Sequence, residues 1–244
     1  MTGGPVLAID TATTRAVIAL SAPDAPGRVI AADAWPAGYR HGEELLARVE
    51  RLLEGAGVSP VELRGIVVGT GPGAFTGLRV GIATAKGLAH ALGLPMVGVA
   101  TSEALLRAAH ELDPTLEEEA TVILLPAGPS DRVACRVGAP GVIVPGGREP
   151  DLRSGDRLVA VDLAGRAPED AVALGERARA GLAGALLGLG GAQLARDEAD
   201  DLARLEPEYV TIPRGVAQPV GDEKVVMTAR GGPRTAGPGG EGAR

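Results

Sequence analysis

Apolar positions along this chain change period several times, and each change marks an element. Val6 to Asp10 (VLAID) is an unbroken apolar run closing on an acid, the pattern of a buried strand. A polar turn, Thr11-Ala12-Thr13-Thr14, separates it from a second run, Ala16 to Ser21, and Val29 to Ala34 supplies a third. From His41 to Gly55 the period lengthens. Leu45, Leu46, Val49, Leu52 and Leu53 share one helical face opposite Glu43, Arg48, Glu50, Arg51 and Glu54. Ile66-Val67-Val68 is β-branched and strand-like again. The glycine turn Gly69-Thr70-Gly71-Pro72-Gly73 follows, then a long apolar segment of helical period, Phe75 to Leu92, with Leu78, Ile82, Ala85, Ala89 and Leu92 on one face. Met96 to Val99 is a short strand. Thr101 to Leu112 is a third helix, with Thr101 or Ser102 as its N-cap and Asp113-Pro114 as its stop.

The second half is less sharply patterned. Val122 to Leu125 and Arg132 to Val137 form a paired-strand pattern around Gly128-Pro129-Ser130-Asp131, Leu158 to Asp162 is a further strand, and Pro168 to about Leu187 is helical. Beyond Pro219 the chain is rich in Gly, Pro and Arg with little to bury, so disorder is the expectation there. Strands alternating with helices in this order give an α/β fold with a mixed sheet.

Composition narrows the options. The 244 residues suffice for one large domain or two lobes. Hydrophobic residues make up 45% of the chain but aromatics only 2%, so the core is built from Val, Leu, Ile and Ala. A net charge of -7 argues against this chain gripping a nucleic-acid backbone by itself. The single cysteine, Cys135, excludes an internal disulfide framework and suits a reducing cytosol. MTGGPVLAID shows no secretory pattern, and the apolar window Ala180 to Ala195 is too short for a membrane span, so a cytoplasmic protein is expected.

Catalytic chemistry is hard to assemble. His41 lies beside Glu43 and Glu44, yet the spacing is not that of a zinc-binding His-Glu-x-x-His, and His90 and His110 add no local ligand set. No metal site, no cofactor and no Ser/His/Asp or Cys/His arrangement emerges. The glycine turn is not a phosphate loop of the Gly-Lys-Ser/Thr kind. The frame Gly69-x-Gly71-x-x-Ala74 fits a dinucleotide fingerprint by letter count, but that fingerprint needs an acid about 20 residues on, and nothing between Leu63 and Ser102 is acidic. In the helix after the turn, Gly77, Gly81 and Ala85 form a stripe almost without side chains. Glycine inside a helix costs about 1 kcal/mol relative to alanine, so something must lie close along that stripe. Either a helix of another subunit lies there, or the lobe's own sheet does. Arg79 and Lys86, the only charges before His90, fit a solvated face.

Gly69 to Gly81 (GTGPGAFTGLRVG), with LAIDTATT upstream and the helix beginning His41-Gly42-Glu43-Glu44-Leu45-Leu46, resembles the hallmark G-x-G-P-G-[SA]-F-T-G-[LI]-R-x-G of the TsaB (YeaZ) family. The resemblance is clear from Leu7 to about Leu106. It implies a two-lobed actin/Hsp70-like ATPase fold (ASKHA, RNase H-like) with a reduced second lobe: an N-terminal lobe at 1–113, a C-terminal lobe at 114–219 and a tail at 220–244. It implies a non-catalytic subunit, and a scaffold for the machinery that makes threonylcarbamoyladenosine at position 37 of tRNA. The implied partners are a TsaD-like catalytic subunit and a TsaE-like ATPase, with tRNA met only through the complex and a homodimer when the chain is alone. The implied interface lies on the two helices, at His41, Leu45, Arg48, Val49, Leu52, Gly73, Phe75, Thr76, Gly77, Arg79, Val80, Gly81, Thr84 and Ala85. Asp10, Thr11 and Thr13 stand where actin-like ATPases hold nucleotide phosphates, but the glycine of such loops is missing. Asp10 therefore either belongs to a vestigial phosphate loop or caps its own turn. Pro126-Ala127-Gly128 departs from the family's Asp-Ala-Arg-like segment, and Pro207-Glu208-Tyr209-Val210-Thr211 resembles its closing Pro-x-Tyr-Leu-Arg motif with Thr211 in place of the arginine. A small-molecule kinase of the same fold is the alternative, and it predicts an intact phosphate loop in both lobes. A protease would need a nucleophile or metal site.

Overall fold

The computed structural model describes residues 3–36 and 41–210, with the backbone alone at 41–43. The expected tail at 220–244, Thr211 and the side chain of His41 lie outside the described residues. Two sheets carry the architecture. In the first, β1 (Val6–Asp10), β2 (Arg15–Ala22) and β3 (Ala25–Pro36) form an antiparallel meander, and β4 (Gly65–Gly69) and β5 (Met96–Val99) add in parallel, giving the order β3-β2-β1-β4-β5. In the second, β6 (Thr121–Pro126), β7 (Arg132–Cys135) and β8 (Val142–Val144) are antiparallel and β9 (Arg157–Ala160) runs parallel to β6, in the order β8-β7-β6-β9. The second sheet thus repeats the first with its last strand missing, which is the two-lobed actin/Hsp70-like fold with a reduced second lobe.

Strand alternation divides the core. Leu7, Ile9, Ile18, Leu20, Ile66, Val68 and Met96 face helices α1 (His41–Ala56) and α2 (Phe75–Leu92), and the opposite residues Val6, Ala8, Val17, Ala19, Val67, Val97 and Val99 face α3 (Thr101–Leu112) and α4 (Glu169–Ala195). Each fully buried aliphatic side chain stabilises by about 1.5–3 kcal/mol, so an aliphatic core holds without aromatics. The second core extends into the other sheet through Ile123, Leu125, Val133 and Val159, and α4 packs on both sheets. The division at 113/114 therefore separates the sheets but not their hydrophobic interior.

The helical stretch ending near Leu187 runs on instead to Ala195, through Gly188, Gly190 and Gly191. These glycines interrupt no helix, because two of them permit contact. A Cβ at Gly190 would collide with Val67 and one at Gly191 with Pro26. Strand β8, three consecutive apolar residues, has no alternation in its sequence to mark it, and the third helix begins after Ala100, so neither Thr101 nor Ser102 is its cap. Among the described residues no helix is long and apolar enough to cross a membrane.

Candidate functional site

The β1–β2 turn is the polar centre of the molecule. Asp10, fully buried at the end of β1, accepts from the Ala12 N–H at 2.9 Å and from the Thr101 hydroxyl at 2.7 Å, and the same hydroxyl accepts from the Gly71 N–H at 3.0 Å. Thr101 is thus a bridge between the acid and the glycine turn, a role invisible in its local sequence. The Thr11 hydroxyl donates to the Gly77 carbonyl at 2.7 Å and that of Thr13 to the Arg15 carbonyl at 2.7 Å. Thr14 reaches the other sheet. Its N–H and its hydroxyl both donate to the Asp162 carboxylate, each at 2.6 Å. Every acid and hydroxyl of the turn is engaged within the chain.

The motif glycines make room for this turn. A Cβ at Gly69 would overlap the Asp10 carboxylate, one at Gly73 the Ala12 carbonyl, and one at Gly81 the Thr11 hydroxyl. Gly71 takes a φ of 105°, in the region that favours glycine. Gly77, Gly81 and Ala85 are accordingly buried. The stripe offered by the sequence to another subunit faces into its own lobe, where Thr11 occupies the space beside Gly81 and its hydroxyl bonds to the Gly77 carbonyl. Gly77, Gly81 and Ala85 are therefore withdrawn from the interface set. Leu45 and Val49 are buried in the same core, and Arg48 is held by Asp33 at 2.8 Å and Glu44 at 3.1 Å with its guanidinium 4.5 Å over Trp35. Thr76 and Arg79 are exposed, while Leu52, Gly73, Phe75, Val80 and Thr84 are half-buried.

A different stripe faces outward on α2. Thr76, Val80, Ala83, Gly87 and Ala91 step by four, three, four and four, and all but half-buried Val80 are exposed. A Cβ at Gly87 would meet nothing within 4 Å. A mid-helix glycine there costs about 1 kcal/mol relative to alanine with no gain inside the chain. On α1, Leu46 is 55% exposed. The local sequence carries no signal that separates this outward stripe from the buried one, since both are poor in side chains.

Residues after α4 return to strap both lobes. Asp200 pairs with edge strand β5, its N–H donating to the Met96 carbonyl and its carboxylate accepting from the Gly98 N–H, which blunts that edge. Glu208 N–H donates to the Thr70 carbonyl at 2.7 Å. The Tyr209 ring lies 5.0 Å from that of Phe75, with the Arg79 guanidinium 4.2 Å over Phe75 and Arg79 Nε donating to the Tyr209 hydroxyl at 2.9 Å. Between strap, turn and second sheet lies a cavity of about 300 Å³, polar at Thr14, Asp162, Glu208 and Tyr209 and otherwise mostly apolar.

Burial, opposed by the bonds from Thr101 and Ala12, lifts Asp10 from 3.8 to about 6. Burial and the neighbouring Glu103 lift Glu208 from 4.5 to about 7. The folded chain holds both protons more tightly than the unfolded chain, so between those values its stability falls as pH rises. Asp156, held down to about 2 by Arg136, has completed its opposite contribution below that window. The urea midpoint is expected to drop across the Glu208 window, and Glu208→Gln should flatten that drop while raising the midpoint above pH about 7. A midpoint that climbs across the window in the native chain is the contrary result. Burial also pushes the Cys135 thiol up to about 12, which leaves it inert as a nucleophile. Among the described residues no cluster of three His, Cys, Asp or Glu could hold a metal.

Comparison with known proteins places this geometry. A model of the family described as TsaD: tRNA N6-adenosine threonylcarbamoyltransferase matches residues 36–138. The tRNA threonylcarbamoyladenosine biosynthesis protein TsaB of Escherichia coli is 38% identical over 96 residues, 39% of this chain and 40% of that protein. TsaB of Bacillus subtilis is 37% identical over 100 residues, 41% of this chain and 42% of that protein. These alignments span less than half the length of either curated relative. The solved structure of YeaZ from Pseudomonas aeruginosa superposes with a TM-score of 0.65 at 26% identity, over 84% of this chain and 99% of that one.

Proposed function

We propose that this chain, similar to TsaB of Escherichia coli and Bacillus subtilis and to YeaZ from Pseudomonas aeruginosa, is a non-catalytic subunit in the formation of threonylcarbamoyladenosine at position 37 of tRNA. In this role it pairs through α1 and α2 with a TsaD-like threonylcarbamoyltransferase, stabilises it, and helps recruit a TsaE-like ATPase. Contact with tRNA comes through the complex, as the net charge of -7 favours. Alone, the chain pairs with a second copy by the same face, in the cytoplasm.

The observation that carries the pairing is Gly87, a glycine in mid-helix with open space where its side chain would be. Close approach of a partner helix along Thr76, Val80, Ala83, Gly87 and Ala91 gives that glycine a purpose that packing within the chain does not. Leu46, Phe75 and Arg79 extend the same reading toward the helix N-terminus and α1. A small-molecule kinase of this fold finds less support, since the hydroxyls it would need around a phosphate are engaged elsewhere in the turn.

Size-exclusion chromatography of the full chain with the TsaD-like transferase of the same organism tests the proposal. Co-elution, with faster threonylcarbamoyl transfer than the transferase achieves alone, is the expected result. Separate elution at micromolar concentrations, or saturable ATP binding with phosphotransfer by this chain alone, would count against it.

A further inference from the structure

We propose that Arg79, Lys86 and His90 form a basic row on α2 that selects a partner helix by its acids. The occupant of the outward face is then a helix of another protein carrying carboxylates along one flank. The inference rests on the pairing through α2 proposed above and names the chemistry that decides it. At 100° per residue the three side chains fall within about 40° of one another around α2, and they run about 16 Å along it. Arg79 and His90 are exposed and Lys86 is half-buried. The row borders the ridge of Thr76, Ala83 and Gly87, so it holds the flanking position from which charge sets partner choice in paired helices.

None of the three pairs with an acid among the described residues. Each of the other helices holds an arginine in such a pair: Arg48 of α1 with Glu44 at 3.1 Å, Arg107 of α3 with Glu111 at 2.8 Å, and Arg179 of α4 with Glu176. Helix α2 has no acid to offer, because none lies between Leu63 and Ser102 in a chain that has 31 of them. Arg79 is the best prepared of the row. Its guanidinium lies 4.2 Å over the Phe75 ring and 5.8 Å from that of Tyr209, and its Nε donates to the Tyr209 hydroxyl at 2.9 Å. Both Nη groups are left without a partner among the described residues. A fork held in this way matches a carboxylate with two parallel bonds, and part of its ordering cost is met before the partner arrives. Phosphate would suit the fork as well, but the ridge beside it fits the close approach of a helix, and a net charge of -7 disfavours a polyanion. A second copy presents an α2 without acids, so α2 against α2 leaves the row unmatched.

Titration calorimetry and stopped-flow binding of the full chain with the TsaD-like subunit, at about 50 and about 300 mM NaCl, test it. Native association should be faster and tighter at the lower salt. Arg79→Gln with Lys86→Gln should lower the affinity about tenfold, and Arg79→Glu with Lys86→Glu about a hundredfold, mostly through the on-rate. Self-association of the glutamine variant, measured by sedimentation equilibrium, should not weaken. Both variants should stay folded in thermal melts, since neither side chain is ion-paired within the described chain, and Lys86→Glu alone carries the test where an Arg79 change does not fold. No binding by the native chain at either salt refutes the pairing itself, and this inference with it. Native binding that the glutamate variant retains, or that tightens with salt, overturns this inference alone. So does an equal loss in self-association, which assigns the row to a second copy. A variant that binds the transferase normally but loses a salt-sensitive contact with unmodified tRNA assigns the row to phosphates and overturns it too.

Discussion

Gly81→Leu is expected to yield no stably folded protein at 25 °C, and Gly81→Ala a folded one weakened by about 1–3 kcal/mol. The position is crowded from one direction. A Cβ there would run into the hydroxyl of Thr11, and that residue is 1% exposed. Thr11 has no room to retreat, because its hydroxyl is bonded to the Gly77 carbonyl, Asp10 before it is bonded to Thr101, and the Ala12 carbonyl after it accepts from the Ala74 N–H at 2.8 Å. Helix propensity works the other way, since glycine to alanine in a helix gains about 1 kcal/mol. The sign of the alanine variant in urea unfolding therefore decides the matter: stability at or above the native value would mean that the stripe is not packed against the turn. Thr11→Ala should make space and recover part of the loss when combined with Gly81→Ala, a coupling that a double-mutant cycle measures. Leucine asks for three more carbons, and its cost is comparable with much of the 5–15 kcal/mol that holds a typical domain together.

Gly87→Leu should do the reverse. The site is open on all sides within the chain, so the monomer is expected to keep its stability or gain up to about 1 kcal/mol from helix propensity. Association with the TsaD-like subunit should fall about a hundredfold, near 2.7 kcal/mol, because a leucine on that ridge holds the facing helix away from Thr76, Val80, Ala83 and Ala91. Titration calorimetry on purified components, alongside thermal melts of each variant alone, separates the two effects. Native affinity in a folded Gly87→Leu protein would remove the outward stripe from consideration as an interface. The pair of variants forms a contrast: two glycines six residues apart in one helix, one guarding the fold and the other expected to guard assembly.

That contrast also marks the limit of legibility. Strands β1 and β5 and helix α2 can be bounded to the residue from apolar period and glycine punctuation, since their signals are local. The hallmark from Gly69 to Gly81 carries the resemblance to the TsaB (YeaZ) family. What packs against the glycine stripe of α2 is another matter. The period places Leu78, Ile82, Ala85 and Ala89 inward, as found, but a stripe poor in side chains such as Gly77 and Gly81 carries no hydrophobic signal of what lies against it. The partner of Gly81 is a threonine 70 positions earlier, and such a pairing leaves no periodic trace. The same holds for Thr101, whose position at a helix start suggests a cap while its hydroxyl serves Asp10 from 91 residues away. The Thr14–Asp162 contact is more distant still. Helix α4 runs past Leu187 although glycine normally lowers helix propensity, because Gly190 and Gly191 sit where the helix presses against Val67 and Pro26.

Helix α4 has a consequence for how the molecule comes into being. It is made after both sheets, yet it packs against all five strands of the first, on the side it shares with α3. A nascent chain that has emerged only as far as residue 113 therefore has Val6, Ala8, Val17, Ala19 and Val67 without their lid, and must wait for some 80 further residues before that surface is shielded. Ribosome-bound chains halted at 113 should bind trigger-type chaperones and be cut readily by protease, and those released past 195 should resist both.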